Sequence, residues 1–380
     1  MIPYGRQDID DADVACVVEV LQGDLLTTGP MVDRFEEALA DCTGGVPLVA
    51  VSSGTAALHT AYAAAGISVG DEVITPPITF VATQAALMHL GATPVFADVA
   101  PDTALIDSAA VEAAITPRTT AIVAVDYAGH PADMDALRAI ADRHKLLLIE
   151  DAAHSLGSTY KGRPVGSLAD ITTFSFFPTK NITTGEGGAV ATPHTDILSR
   201  ARRFSRQGLV REPAEFVITT EGPWHQEVHS IGLNYRLSDI HSALGLSQLR
   251  SLLKFKERRA EVKEIYDRAL AEIAGVSIPV QGHDVDPMWH LYPLRVPAEV
   301  RQDMFMSLRD GGIGVQVNYL PAYRHPALEG LARPEDFPAS EDFYAREISL
   351  PLHTCLTSDD VTSVVREVSA ALAASQAGRL

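Results

Sequence analysis

Two short runs decide the fold class: Ala121-Ile122-Val123-Ala124-Val125-Asp126 and Leu146-Leu147-Leu148-Ile149-Glu150-Asp151. Each stays apolar at every step until it ends on acid. A strand with one wet face would alternate, so these read as strands covered on both faces, as in a parallel sheet. Five further β-like runs surround them, at residues 49–51, 72–75, 95–99, 171–175 and 189–192, and helical segments separate several of the seven. That arrangement predicts an α/β fold. In such sheets ligands sit beyond the carboxyl ends of the strands, which is where Asp126, Glu150 and Asp151 fall.

Upstream, Val14, Val17, Val18 and Leu21 fall at helical spacing, as do Val32, Phe35 and Leu39, predicting two helices that flank Leu26-Thr27-Thr28-Gly29-Pro30. Downstream, a long helical stretch from Leu237 to Leu270 is expected to bridge to a smaller α+β unit. That unit has apolar runs at 291–296 and 313–319 and helices near Met304 and Val361. A chain of 380 residues exceeds what one compact core usually holds. The expected division is a large domain over 1–240 and a smaller one, with the linking helix, over 241–380.

With 46% hydrophobic and 21% charged residues, the composition excludes a disordered or fibrous chain. A formal charge of −19 argues against nucleic acid, whose backbone is held by clustered Lys and Arg. One phosphate can still be held locally by helix-terminal amides. Cys16, Cys42 and Cys355 form no Cys-x-x-Cys pair, so no disulfide framework or metal site is expected and a reducing cytoplasm fits. Met1 to Asp8 turns acidic without the pattern of a signal peptide, and no apolar run reaches the roughly 18 residues that cross a bilayer. The expectation is a soluble cytoplasmic protein with no membrane partner.

Chemistry concentrates in Ser175-Phe176-Phe177-Pro178-Thr179-Lys180-Asn181-Ile182-Thr183-Thr184-Gly185-Glu186-Gly187-Gly188, which puts a lysine in a loop just past a buried strand. Burial depresses a lysine's pKa and frees its amine to condense with an aldehyde, as pyridoxal phosphate (PLP) chemistry requires. A solvated loop lysine is the alternative. Asp151 suits the carboxylate that keeps a pyridine nitrogen protonated, or the cap of a following helix. His154 suits a contact to the cofactor's phenolic oxygen, or a structural histidine. Gly54 and Thr55, opening a helix after Val49-Ala50-Val51, offer amides and a hydroxyl to a phosphate, with Ser175 adding a second hydroxyl. The same residues suit an ordinary helix cap. Phe80 suits stacking on the pyridine ring, or a core aromatic.

Together these motifs resemble the DegT/StrS family of PLP-dependent sugar-nucleotide aminotransferases. The resemblance runs from Tyr4 to about Leu372 and is carried by five motifs. These are Thr27-Thr28-Gly29-Pro30, Ser53-Gly54-Thr55-Ala56-Ala57-Leu58, Glu150-Asp151-Ala152-Ala153-His154, Ser175 to Gly188, and Gly232-Leu233-Asn234-Tyr235-Arg236-Leu237. The resemblance implies fold type I, a large, mainly parallel seven-stranded sheet domain with a smaller C-terminal α+β domain. It implies that Lys180 carries PLP as a Schiff base, Asp151 pairs with the pyridinium, His154 meets the phenolic oxygen and Phe80 stacks on the ring. Gly54, Thr55 and Ser175 would hold the phosphate. Asn234 would reach the phosphate of the neighbouring subunit, which makes a homodimer with shared active sites.

Within the family, Gly312 to Tyr319 and Phe343 to Pro351 are most similar to enzymes that aminate C4 of UDP-linked 4-keto-6-deoxy sugars on the way to pseudaminic acid. That similarity implies a sugar-nucleotide site lined by Tyr4, Leu26, Thr27, Thr28 and Gly29 and by the partner subunit's Gln316, Val317, Asn318 and Tyr319. L-glutamate as amino donor follows from the resemblance alone, with Arg236 a candidate for its carboxylate. Phe177 stands where related enzymes commonly carry histidine, which leaves the exact sugar open. The alternatives are amination of a dTDP-keto-deoxysugar or a cyclitol ketone, and a non-catalytic PLP-fold binding protein. A sugar dehydratase is disfavoured by Lys180, since those relatives carry histidine there.

Overall fold

The computed structural model describes residues 1–218 and 221–377. Each of the seven runs carries one strand of a central sheet: β1 (Leu48–Val51), β2 (Glu72–Thr75), β3 (Thr93–Phe96), β4 (Thr119–Val125), β5 (Leu147–Asp151), β6 (Ile171–Ser175) and β7 (Gly188–Ala191). Their spatial order is β1-β7-β6-β5-β4-β2-β3. Neighbours from β3 through β6 pair parallel, and β7 runs antiparallel to both β6 and β1.

The continuous apolar runs have a direct cause. Ile122, Ala124 and Leu148 enter a core with Phe35 and Leu39 on one face, while Ala121, Val123 and Ile149 enter a second core with Ala57, Ala61 and Tyr62 on the other. Strands buried on both sides have no polar face to show. A third core gathers Val262 and Tyr266 with Leu294, Met304, Ile348 and Val364 in the C-terminal part of the chain.

Two expectations are corrected. The stretch 237–270 is two helices, Asp239–Leu249 and Leu252–Leu270, because the chain tightens to three-residue hydrogen bonds at Arg250 and Ser251. The run 313–319 is not a strand; it makes only isolated bridges from Ile313 to Ile2 and from Gln316 to Ser349. The partner of strand Tyr292–Arg295 is instead Glu347–Leu350. In helix α1 (Asp11–Leu21) the apolar stripe faces outward: Val14, Val18 and Leu21 are exposed, and Asp13 and Val20 are the buried positions. Helix α2 (Pro30–Cys42) buries Val32, Phe35 and Leu39 as its spacing predicts.

Beyond β4 the chain turns through Tyr127–Gly129, and Gly129 sits at φ +91° where an added Cβ would lie 2.2 Å from the Met288 carbonyl oxygen and 3.0 Å from that of His154. Gly162 shares the left-handed conformation, φ +74°, with open space around it. Gly129→Ala is therefore expected to lower unfolding stability by on the order of 2–3 kcal/mol, against about 1 kcal/mol for Gly162→Ala. Denaturant midpoints compare the two; equal losses would mean that the close approach at Gly129 has no energetic weight.

Candidate active site

The carboxyl ends of β4, β5 and β6 open into a cavity of about 520 Å³, lined by Tyr4, Gly54, Thr55, Phe80, Asp151, His154, Ser175, Phe177, Lys180, Asn318 and Tyr319 among others. Helix α3 (Gly54–Ala65) points its N-terminus at this space. Ser53 is its cap, its Oγ accepting from the Ala56 amide at 3.1 Å. The cap therefore spends one amide and leaves those of Gly54 and Thr55 for a ligand. A Cβ on Gly54 would fall 2.7 Å from Ser175 Cβ, so glycine is what lets Ser175 close over the helix end.

Asp151 ends β5 and is 5% exposed. No helix follows it, so the cap reading is set aside: its Oδ1 accepts from the Ala153 amide at 3.2 Å within a turn, and its Oδ2 accepts from the Thr83 hydroxyl at 2.9 Å. Burial raises the Asp151 pKa, while Thr83, Ala153 and Lys180 oppose that rise. Lys180 is half-buried, and burial lowers its amine to about 8 against the opposing pull of Asp151. The solvated-lysine reading is thereby set aside. His154 is buried, and its Nε2 lies 3.2 Å from the Tyr319 hydroxyl. Burial, with Lys180 beside it, holds His154 well below the usual histidine value, so the ring is neutral at pH 7. Phe80 is 58% exposed at the cavity, which excludes the core-aromatic reading.

Several residues here were not singled out from the sequence. Thr83 lies three places past Phe80. Asn181, beside Lys180, donates to the His154 carbonyl at 2.7 Å and that of Leu156 at 3.1 Å, tying the lysine loop to the Asp151 turn. His290 and Leu291 line the wall from the C-terminal part. Their sequence signal is nil, since each acquires a role only through a distant contact.

The remaining expected residues lie elsewhere. Asn318 and Tyr319 line the cavity of their own chain, which corrects the expectation that they serve the partner's site: Asn318 Nδ2 donates to the Tyr4 hydroxyl at 2.5 Å, and Tyr319 meets His154. Gln316 is exposed, and neither it nor Val317 lines the cavity. Leu26, Thr27, Thr28 and Gly29 are outside it too. Thr28 and Gly29 line a separate cleft of about 420 Å³ with five arginines, Arg202, Arg203, Arg206, Arg211 and Arg236. Asn234 is exposed and bridges to Arg206 beside this cleft.

A half-buried lysine, a strand-end carboxylate and a helix N-terminus around one cavity define a site for a phosphorylated aldehyde. PLP fits the residues present, because the Gly54–Ser175 cradle leaves amides unspent and Asp151 already accepts two hydrogen bonds that favour its ionised form. Residues 7–369 match the DegT/DnrJ/EryC1/StrS aminotransferase family, and the chain belongs to that PLP-dependent family. It is an aminotransferase. It is 40% identical to the spore coat polysaccharide biosynthesis protein SpsC of Bacillus subtilis, over 97% of this chain and 96% of that one. Helicobacter pylori PseC, an aminotransferase of pseudaminic acid biosynthesis, superposes with a TM-score of 0.91 at 34% identity, covering 98% and 99% of the two chains. Spr1654 of Streptococcus pneumoniae, in its PMP form, superposes at 0.93 with 30% identity over 99% of this chain and 100% of that one.

The state of Lys180 gives a pH test. An amine at about 8 gains uncharged fraction roughly tenfold per pH unit below that value and little above it. Cofactor-free protein is expected to capture PLP about ten times faster at pH 7 than at pH 6 and to level off beyond about pH 8.5, followed by stopped-flow absorbance. A rate still climbing through pH 10 would show a lysine at its ordinary value.

Proposed function

We propose that this chain moves an amino group from L-glutamate to C4 of a UDP-linked 4-keto-6-deoxy-N-acetylhexosamine, giving a UDP-4-amino-4,6-dideoxy sugar and 2-oxoglutarate. The observation that carries the chemistry is a lysine brought to about 8 in one cavity with a buried strand-end aspartate. Bound PLP supplies an electron sink for the pair left when a proton departs from the amino donor's α-carbon. Asp151 keeps a proton on the pyridine nitrogen. Lys180 Nζ, when uncharged, would carry the proton between the donor's α-carbon and the cofactor carbon on the other side of the transferred nitrogen, and would run the transfer in reverse for the keto sugar. The first-turn amides of α3, with Thr55 and Ser175, hold the phosphate.

Support for the sugar comes from two directions. PseC and SpsC both act in the making of bacterial sugar products. The cavity lining mixes apolar Phe80, Phe177 and Leu291 with the hydroxyls and amide of Tyr4, Tyr319 and Asn318. Apolar lining suits a methyl group where a hexose would carry a hydroxyl, and the polar groups suit ring substituents.

No arginine lines the Lys180 cavity among the described residues, yet both a dicarboxylate donor and a diphosphate need cations. The arginine cleft supplies them. Arg202 and Arg203 pair with Glu36 and Glu215, whereas Arg206, Arg211 and Arg236 form no ion pair among the described residues. The reading is a homodimer in which the cleft and Asn234 of one subunit complete the Lys180 cavity of the other. Exposed Val14, Val18, Leu21, Ile231 and Leu233 supply apolar surface for that contact. The three free cysteines fit a reducing cytoplasm.

A panel of UDP- and dTDP-linked keto sugars with glutamate, read by coupled 2-oxoglutarate detection, is expected to favour the UDP-linked 4-keto sugar by about 100-fold. A preference for a dTDP-linked 3-keto sugar would overturn the substrate assignment, and turnover by Lys180→Ala would overturn the mechanism. Subunit sharing is tested by mixing two inactive variants, Lys180→Ala and Asn234→Ala. Random dimers place both native groups in one site of each mixed dimer and recover roughly a quarter of wild-type activity; a mixture as inactive as its parents would mean that each subunit works alone.

A further inference from the structure

The cavity wall holds a histidine that transamination as described leaves unused. His290 is 7% exposed, lines the cavity, and has no hydrogen-bond partner at its buried Nδ1. Its ring lies against that of His154, with centroids 4.3 Å apart and planes inclined by 30°. The other ring beside His154, that of Tyr319, lies farther off, with centroids 6.2 Å apart. Of the two ring nitrogens of His154 only Nε2 has a partner, the Tyr319 hydroxyl, while Nδ1 is buried with none. An imidazole held by one hydrogen bond can swing about it. Working histidines are commonly fixed through the second nitrogen, and here a ring face occupies the place of that second bond.

His290 is itself fixed from behind. Arg259, 3% exposed on helix Leu252–Leu270, donates through Nη1 to the carbonyls of Trp289 at 3.3 Å, His290 at 3.4 Å and Leu352 at 2.8 Å. It forms no ion pair among the described residues. A guanidinium buried without a carboxylate is costly to desolvate, and the backbone it grips is the segment that presents His290.

Lys180, Asp151 and Tyr319 line the same cavity as His154, and His290 packs against its ring. Burial, then His154, Lys180 and Arg259, push His290 well below the usual histidine value. Two neutral rings can stack where two imidazolium ions would repel.

We infer that His290, anchored through Arg259, is a positioning residue that orients His154 toward the bound cofactor by stacking on it. This rests on the reading that His154 contacts the cofactor. The test uses PLP-loaded protein and follows its visible absorbance and induced circular dichroism between about pH 5.5 and 9.5. His290→Ala is expected to weaken the dichroism about twofold and to move the absorbance midpoint by about half a pH unit. His290→Phe, which keeps a ring face, is expected to restore the dichroism; if it does not, the effect belongs to the imidazole's polarity and stacking is overturned. His290→Gln, with an unchanged unfolding midpoint and no ring, is expected to match the alanine variant, and wild-type signals from it would overturn the inference even if His290→Ala fails to fold. His154→Ala separates the two layers. If it changes neither signal, His154 does not touch the cofactor, and the inference falls with that reading. If it changes both while His290→Ala matches wild type, only the inference falls.

Discussion

Keeping a lysine amine out of water beside a buried carboxylate is the constraint on which this site depends. Burial works against both charges, lowering Lys180 to about 8 and raising Asp151. Left alone, each group would neutralise and the pair would lose its use. The fold answers with hydrogen bonds that favour only one form of the carboxyl: the Thr83 hydroxyl and the Ala153 amide both donate to Asp151. Lys180 receives no such bond among the described residues, so burial biases its amine toward the uncharged state, whereas at Asp151 the two bonds offset part of the rise that burial causes. Asn181 then joins the two loops through the His154 and Leu156 carbonyls. Stability and reactivity are here one arrangement, because the contacts that hold the loops together also set the protonation of the groups they carry.

The central sheet was legible because apolar continuity is a local property. Ala121 to Val125 and Leu147 to Ile149 need no knowledge of their neighbours to read as strands buried on both faces. The strand Glu347–Leu350 was not legible, since buried Glu347 and Ser349 look like surface residues until Asn318, some thirty positions away, is seen to bond both. The break at Arg250 and Ser251 carries no glycine or proline to announce it. At the site, Lys180, Asp151, His154, Gly54, Thr55, Ser175 and Phe80 stand around one cavity as their motifs suggested. Asn181, Thr83 and His290 escaped, for a threonine in a helix or a histidine in an apolar run has no chemistry until tertiary contact supplies it. Asn318 and Tyr319 were recognised but given to the wrong subunit, an error that spacing along a chain cannot correct.

Net charge misleads in a similar way. A formal −19 describes the surface average, yet the cleft beside Thr28 and Gly29 collects five arginines within about 420 Å³. Burial and the adjacent Arg202 even depress Arg206 below the usual arginine value. Against the carboxylates of Asp33, Glu212 and Glu215 in the same cleft, the five arginines leave a surplus of positive charge, which is a reason to expect an anion there. The acidic remainder leaves this cleft as a local attractor, which is how an acidic protein can hold an anionic ligand.

The Lys180 cavity is also a seam. Its cofactor-facing groups come from the sheet and its loops, whereas Asn318, Tyr319, His290 and Leu291 come from the C-terminal part and Tyr4 from the N-terminus. That second wall has its own support. Glu347, raised to about 8 by burial, accepts from the Asn318 amide at 2.8 Å and from Ser349, and Asn318 in turn holds the Tyr4 hydroxyl. None of these bonds involves Asp151, Thr83 or Ser175. The bonds that hold this wall are thus separate from those that hold Asp151, and the two sets meet where the Tyr319 hydroxyl lies 3.2 Å from His154 Nε2. Rings join the two walls at more than one point: His290 and Tyr319 both lie beside His154, and Tyr319 also neighbours Phe80, with the His154–His290 pair the tightest at 4.3 Å.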